Sequence, residues 1–193
     1  MTDGGTDMVG KPRSSKPDET TRERILRHAM LRFSNQSYES TGLREIAADA
    51  GVDVAWVHRS FGSKEKLFHD SLRHSIENHG ILDDPDEHTL SRLCDEMLRP
   101  LADDELSPIH MIVRSFSSPE ASKVICEFAT TQLVQPMARA MGPGSEVRIA
   151  LALSALIGFA IMHEVVGMST ITEADKQDLS RRLHSLTSGI LSA

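Results

Sequence analysis

Aromatic side chains are scarce: one Trp, one Tyr and six Phe, 4% of 193 residues. A β-sandwich needs aromatic and β-branched alternation, so this scarcity, with Ala, Leu, Ile and Met frequent, favours helices. Only two cysteines occur, Cys94 and Cys126, far apart and without a CxxC or Cys/His pattern. That argues against a disulfide framework or a zinc site, and two buried thiols are expected. The opening MTDGGTDMVG has no basic region followed by an apolar run, which argues against a signal peptide. The most apolar stretch is residues 147–167, VRIALALSALIGFAIMHEVVG. Its uncharged run, 149–162, falls short of the ~20 residues that span a bilayer, so no membrane partner is expected.

Catalytic and metal motifs are missing as well. His163-Glu164 begins like HExxH, but position 167 is Gly. His69, His74 and His79 stand five apart and rotate away from one another on a helix. The acidic cluster at 83–87 lacks the sixth-position Gly of an EF-hand. Neither a glycine-rich phosphate loop nor a GxSxG elbow occurs. The expectation is no enzyme, no cofactor and no metal.

Net charge is −7, which looks unsuited to nucleic acid, yet its distribution is uneven. Residues 1–68 hold 11 Lys/Arg against 10 Asp/Glu; residues 69–193 hold 10 against 18. Between Lys11 and Arg32 seven basic residues face three acidic ones. Such asymmetry orients a molecule on a polyanion, basic end first.

Residues 1–17, rich in Gly, Ser, Pro and Lys, read as a disordered basic arm. Its Lys11, Arg13 and Lys16 are candidate phosphate or minor-groove contacts. A helix is expected from Asp18, capped by Asp18 or Thr20, with Ile25, Ala29 and Phe33 as its apolar stripe and Leu26 and Met30 beside it. A second begins near Gly42, with Glu45 in capping-box position, and stops at Gly51. Asp53 caps a third, 54–61, whose Val57 and Phe61 face inward, and Ser63 caps a fourth carrying Leu67, Phe68, Leu72 and Ile76. Two short helices joined by a Gly-containing turn make a helix-turn-helix. Further helices are expected at about 87–104, 108–115, 119–141, 145–168 and 172–191, divided by Pro and Gly breaks. The fold class is all-α, about nine helices, with a head at 18–68 and a larger part at 69–193.

The segment around 147–167, apolar nearly all round, must be buried. Small residues at Ala150, Ser154 and Gly158 admit a second helix. A homodimer is expected, with Ala152, Ala155, Leu156 and Phe159 joined by Leu179, Leu183, Leu186 and Ile190 of the last helix.

With Val57 and Phe61 inward, Ala55, Trp56 and Arg59 point outward, flanked by His58 and Ser60. In a helix-turn-helix that outer face enters the DNA major groove, its N-terminal end (Val54, Ala55) against base edges. Trp56 can cover a thymine methyl, and Arg59 can reach a guanine edge or a phosphate. His58, Ser60 and Lys64 suit phosphates, and Thr41 and Arg44 the far side of the groove.

Residues 21–72 resemble the DNA-binding region of the TetR (tetracycline repressor) family of bacterial regulators. The matching residues are TRERILRHAMLRF, then Tyr38, then TGLREIAADAGVDVAWVHRSFGSKEKLF. The chain departs from that pattern at Ser37, where Gly is usual and Ser is expected to strain the turn. It departs again at Trp56, usually small or hydroxylated, at His58, usually Tyr, and at Ser60, usually His or Tyr. The scaffold matches while the reading face differs. The resemblance implies a cytoplasmic, ligand-responsive regulator, usually a repressor, binding a palindromic double-stranded DNA operator as a homodimer and released by a small apolar effector. The effector pocket is expected between about 87 and 168, with Met97, Met111, Phe116, Phe128, Gln132, Phe159 and His163 as candidate lining. The alternatives are a helical small-molecule-binding or protein-interaction module with a weakened DNA head, and an effector-independent architectural DNA binder.

Overall fold

The computed structural model describes residues 19–77, 82–101 and 106–193. The basic arm, Asp18 and His79 lie outside them. Among the described residues there are helices and no strands.

The first helix, α1 (Thr21–Asn35), starts at a reciprocal cap. Thr20 Oγ1 accepts the Glu23 amide, and Glu23 Oε2 accepts the Thr20 amide at 2.8 Å. Its stripe Ile25, Leu26, Ala29, Met30 and Phe33 is buried, as expected. The next helix, α2 (Leu43–Asp49), begins at Gly42, whose amide donates to Glu45 Oε2 at 2.8 Å. Gly51 then takes φ 65°, a conformation costly for any residue with a Cβ. That bend lets Val52 donate back to the Ala47 carbonyl and sets Asp53 to cap α3 (Val54–Phe61) through the Ala55 amide at 2.7 Å. A second positive-φ glycine, Gly62, ends α3, and Ser63 caps α4 (Lys64–Glu77) through the Lys66 amide.

Ser37 does not strain its turn. No described residue other than glycine has positive φ. The Ser37 hydroxyl accepts the Ser40 amide at 3.2 Å, so side-chain hydrogen bonding substitutes for backbone freedom.

Arg32 bridges α1 to α2, its Nε donating to Asp49. This hydrogen bond, with the guanidinium charge, holds the Asp49 carboxyl below its ordinary 3.8. A depressed carboxyl pKa stabilises the fold fully above the unfolded value and loses that contribution as pH falls through the folded one. The difference in melting temperature between wild type and Asp49→Asn should therefore be constant at neutral pH and narrow below pH 3.8, followed by circular dichroism.

The remaining helices are α5 (Thr89–Met97), α6 (Pro108–Ser115), α7, α8, the single turn α9 (Ser169–Thr172) and α10 (Lys176–Ser192). The long helix α7 runs Pro119–Phe128, widens to a π-helix over Ala129–Val134 and resumes over Gln135–Met141. Pro136 has no amide to donate, and Gln135 donates five residues back, to Thr130. Likewise α8 runs Glu146–Ala160 and then Ile161–Val165 as π-helix. The expected last helix, 172–191, is instead split by the Asp175 cap of α10.

Two cores result. One joins α1–α4 to Met111 of α6 and to Ala121, Val124 and Phe128 of α7. The other packs Leu90, Leu93 and Cys94 of α5 against α7, α8 and α10. The expected division at 68/69 falls inside α4. Cys94 is buried, and burial pushes its thiol pKa up. Cys126, expected to be buried, is exposed, because α7 turns Val124 and Phe128 inward and Cys126 outward.

Glu146–Val165 is long and apolar enough, by length and composition, to cross a membrane. Its uncharged core is nevertheless about 21 Å long, against a ~30 Å hydrocarbon layer. One face, Ile149, Ala152, Leu153, Leu156 and Ala160, is buried within the chain.

Candidate nucleic-acid interface and ligand cavity

The α3 helix is anchored from below. Val57 and Phe61 are buried beside Phe33, Ile46 and Phe68. Phe68 packs edge-on against Phe33 at 4.9 Å and against Tyr38 at 5.2 Å, fixing α1, the following turn and α4 as one block. The Arg22 guanidinium lies 4.6 Å from the Phe61 ring centre and donates to Asp70 Oδ2 at 2.6 Å, tying α1 to α3 and α4.

The opposite face of α3 is open. Trp56 is 49% exposed, and the Arg59 guanidinium sits over its ring at 4.6 Å. This cation–π contact gives the two side chains one joint surface. Ala55 and His58 are exposed and Val54 and Ser60 half-buried. His58 Nδ1 lies 3.3 Å from the Gly62 carbonyl. Arg44, at the start of α2, is exposed, and neither it nor Arg59 has an ion pair among the described residues. Several other basic residues do: Arg22, Arg27 and Arg32 are neutralised by Asp70, Glu19 and Asp49. The free positive charge of the head is smaller than its sequence count.

Two expected contacts sit differently. Thr41 is fully buried, and its Oγ1 donates to the Ser37 carbonyl at 3.0 Å, so it shapes the turn and offers nothing to a groove. Lys64 folds over the Tyr38 ring at 4.2 Å, where burial lowers its pKa and Glu39 and Glu65 oppose that shift. Burial also drives the Tyr38 phenol well above its ordinary value.

Between the two cores lies a cavity of about 130 Å³. It is walled by Leu72, Ser75 and Ile76 of α4, by Met97 of α5, and by apolar side chains of α6, α7 and α8. Of the candidate lining residues, Met97 and Phe128 reach it. The others do not. Met111 is in the first core, Phe116 is exposed at the end of α6, and Gln132 Nε2 donates to Thr131 Oγ1. Phe159 stacks on His163 at 5.6 Å, away from the cavity. The residue that sequence reasoning missed is Glu164, which lines the cavity with Oε2 buried and unpartnered. Its signal was an acidic residue closing an otherwise uncharged run.

Within this fold α4 belongs to both sites. Leu67 and Phe68 support α3, and one turn on Leu72, Ser75 and Ile76 wall the cavity. Two further links tie the head to the rest. Arg114 Nε donates to the Ser34 carbonyl at 2.9 Å, and Ser118 Oγ donates to Glu39 Oε1 at 2.6 Å.

The apolar face expected between subunits also differs. Ala152, Leu156 and Leu183 are covered inside the chain, while Ala155, Phe159, Leu179 and Ile190 are half-buried. The uncovered stripe of α8 is Val147 (70% exposed), Leu151 (56%), Ser154 and Gly158, and Leu186 of α10 is exposed as well. The helix is apolar on every side, so its burial pattern was set by which face met α5 and α10, not by its own periodicity.

Residues 25–70 match the family profile for bacterial regulatory proteins of the tetR family, and residues 87–191 match the tetracyclin repressor-like C-terminal domain. The chain belongs to the TetR family. Among solved structures it is similar to a TetR-family regulator from Streptomyces coelicolor, with 26% identity, 94% of this chain and 100% of that one covered, and TM-score 0.59. It shares its fold with GusR of Salmonella enterica (16%, 90% and 96%, TM-score 0.64). It also shares it with the multidrug binding protein EbrR in complex with ethidium (18%, 88% and 99%, TM-score 0.53). Among curated protein sequences none is a significant match. TetR-family proteins are transcription regulators, typically ligand-responsive repressors that act as dimers on DNA operators.

Proposed function

We propose that the chain is a cytoplasmic, ligand-responsive transcriptional repressor that binds a palindromic operator as a homodimer and is released by a small, largely apolar effector. The observation that carries this is the outward Trp56–Arg59 pair on a short helix whose other face is locked into the core. An exposed indole is unfavourable in water and useful against thymine methyls and sugar edges. Arg59 and Arg44 supply charge that no carboxylate neutralises among the described residues. Val54, Ala55, His58, Ser60 and Lys64 border the same surface, and Thr41 acts behind it by shaping the turn.

The exposed stripe of α8 with Leu186 is the proposed dimer surface, pairing with its own copy across a two-fold axis. Two α3 helices then read half-sites one helical turn apart, about 34–36 Å, or a multiple of it. Effector binding in the cavity acts through α4. A ligand that prefers one tilt of α4 changes the separation of the reading helices. It shifts the population only by its differential affinity, with about 1–3 kcal/mol of coupling giving roughly 5–150-fold release. That a protein of this fold is a multidrug binding protein complexed with ethidium is in keeping with a small-molecule effector.

The test is a DNA titration across the promoter region of the chain's own gene, in a salt series. A specific site bound at least ~10³-fold more tightly than unrelated DNA is expected, its log affinity falling linearly with log salt. Equal affinity for every sequence, or none, would overturn the proposal.

A further inference from the structure

We infer that the cavity takes a small lipophilic ammonium ion, with the Glu164 carboxylate as its counter-ion; this rests on reading the cavity as the effector site. Its wall is hydrocarbon from five helices apart from a few polar groups, two of them carboxylates. Glu96 is held by Arg99, whose Nε donates to Glu96 Oε1 at 2.8 Å. Glu164 has no such partner: Oε2 is shut off from the surface and accepts no hydrogen bond among the described residues. The neighbouring His163 does not supply one, since its ring stacks on Phe159 and its own Nδ1 is also unpartnered.

A carboxylate surrounded by hydrocarbon is costly unless a cation or a hydrogen-bond donor meets it. An anionic guest would add like charge. A hydrocarbon guest would bury the oxygen still deeper without satisfying it. A guest with an N⁺–H group satisfies charge and hydrogen bond together, and charge-assisted bonds are the strong ones. Leu153, Ile157 and Glu164 share one side of α8, so an apolar body lying along the first two directs its head to the third. Glu164 also sits in a π turn, a distortion often found at functional sites. The volume, about 130 Å³, bounds the size. An apolar cavity of ~150 Å³ accepts benzene, so the guest carries one ring or a short branched chain.

The test is calorimetric titration of the full chain with benzylammonium and with ethylbenzene, its neutral isostere, at neutral pH. Wild type should bind benzylammonium about tenfold or more tightly than ethylbenzene. Glu164→Gln should lose that preference while binding ethylbenzene at least as tightly as wild type, which also shows that the variant is folded. Ethylbenzene bound equally or better by wild type would overturn the cation and leave the effector site standing. A preference surviving in Glu164→Gln would remove Glu164 as the counter-ion. No binding of either probe would overturn the inference together with the cavity's role. DNA is absent from the titration, so a failure of operator binding does not alter any of these outcomes.

Discussion

Replacing Leu151 by glutamate will leave each subunit folded and separate the two. Leu151 is 56% exposed in the single chain, so the fold loses little when it changes. Across a two-fold axis the same substitution appears twice, and two carboxylates would enter one largely apolar surface, where their desolvation and mutual repulsion oppose association. Val147, Ser154 and Gly158 lie on the same stripe, and a Cβ added at Gly158 would meet open space within the chain. That stripe has room for a close helix from outside. A monomer engages one half-site at a time and forfeits the effective concentration of the second, so operator affinity should fall by roughly 10²–10⁴. Sedimentation reads the mass, and a DNA titration reads the affinity. A Leu151→Glu protein that stays dimeric would place the subunit contact elsewhere, and a wild type that is monomeric while holding its operator tightly would overturn the dimer itself.

The second large effect is expected at Arg59. Its guanidinium is preorganised over the Trp56 ring, which lowers the entropy lost on meeting a guanine edge. A good bidentate contact discriminates by about 1–3 kcal/mol per base, and a dimer makes it twice. Arg59→Ala should therefore weaken operator binding by at least about thirtyfold and relax preference at one position in each half-site. Arg59→Lys should retain phosphate attraction and still lose the preference, because an ammonium cannot fork. Both variants should melt with wild type, since Arg59 is exposed and has no ion pair among the described residues. Uniform weakening on all DNA sequences would make Arg59 a phosphate contact only.

The head of the molecule was legible because its information is local. Caps at Thr20, Gly42, Asp53 and Ser63, the bend at Gly51 and the i, i+4 pair Val57–Phe61 all lie within a few residues of what they determine. Once Val57 and Phe61 point inward, the helical period leaves Trp56 and Arg59 outside. Thr41 was misjudged because its burial depends on a turn that its hydroxyl closes through the Ser37 backbone carbonyl, a contact that side-chain types do not announce. The cavity was legible only as a region. Which side of α8 faces α5 and α10 is a tertiary choice, and a helix apolar all round carries no periodic mark of it. Nor does composition announce the π turns. Glu164 therefore stayed hidden beside the more conspicuous His163, although one lines the cavity and the other stacks on Phe159.

Trp56 is the chain's single tryptophan, so emission excited at the red edge of the indole band, where Tyr38 does not absorb, reports on the reading face alone. Iodide quenching with and without operator duplex is thus the most direct measurement. The indole of the free protein should be readily quenched, and saturation with operator should shield it, whereas the same concentration of unrelated duplex at physiological salt should not. Bound operator with Trp56 as open to iodide as before would mean that this face does not enter the groove.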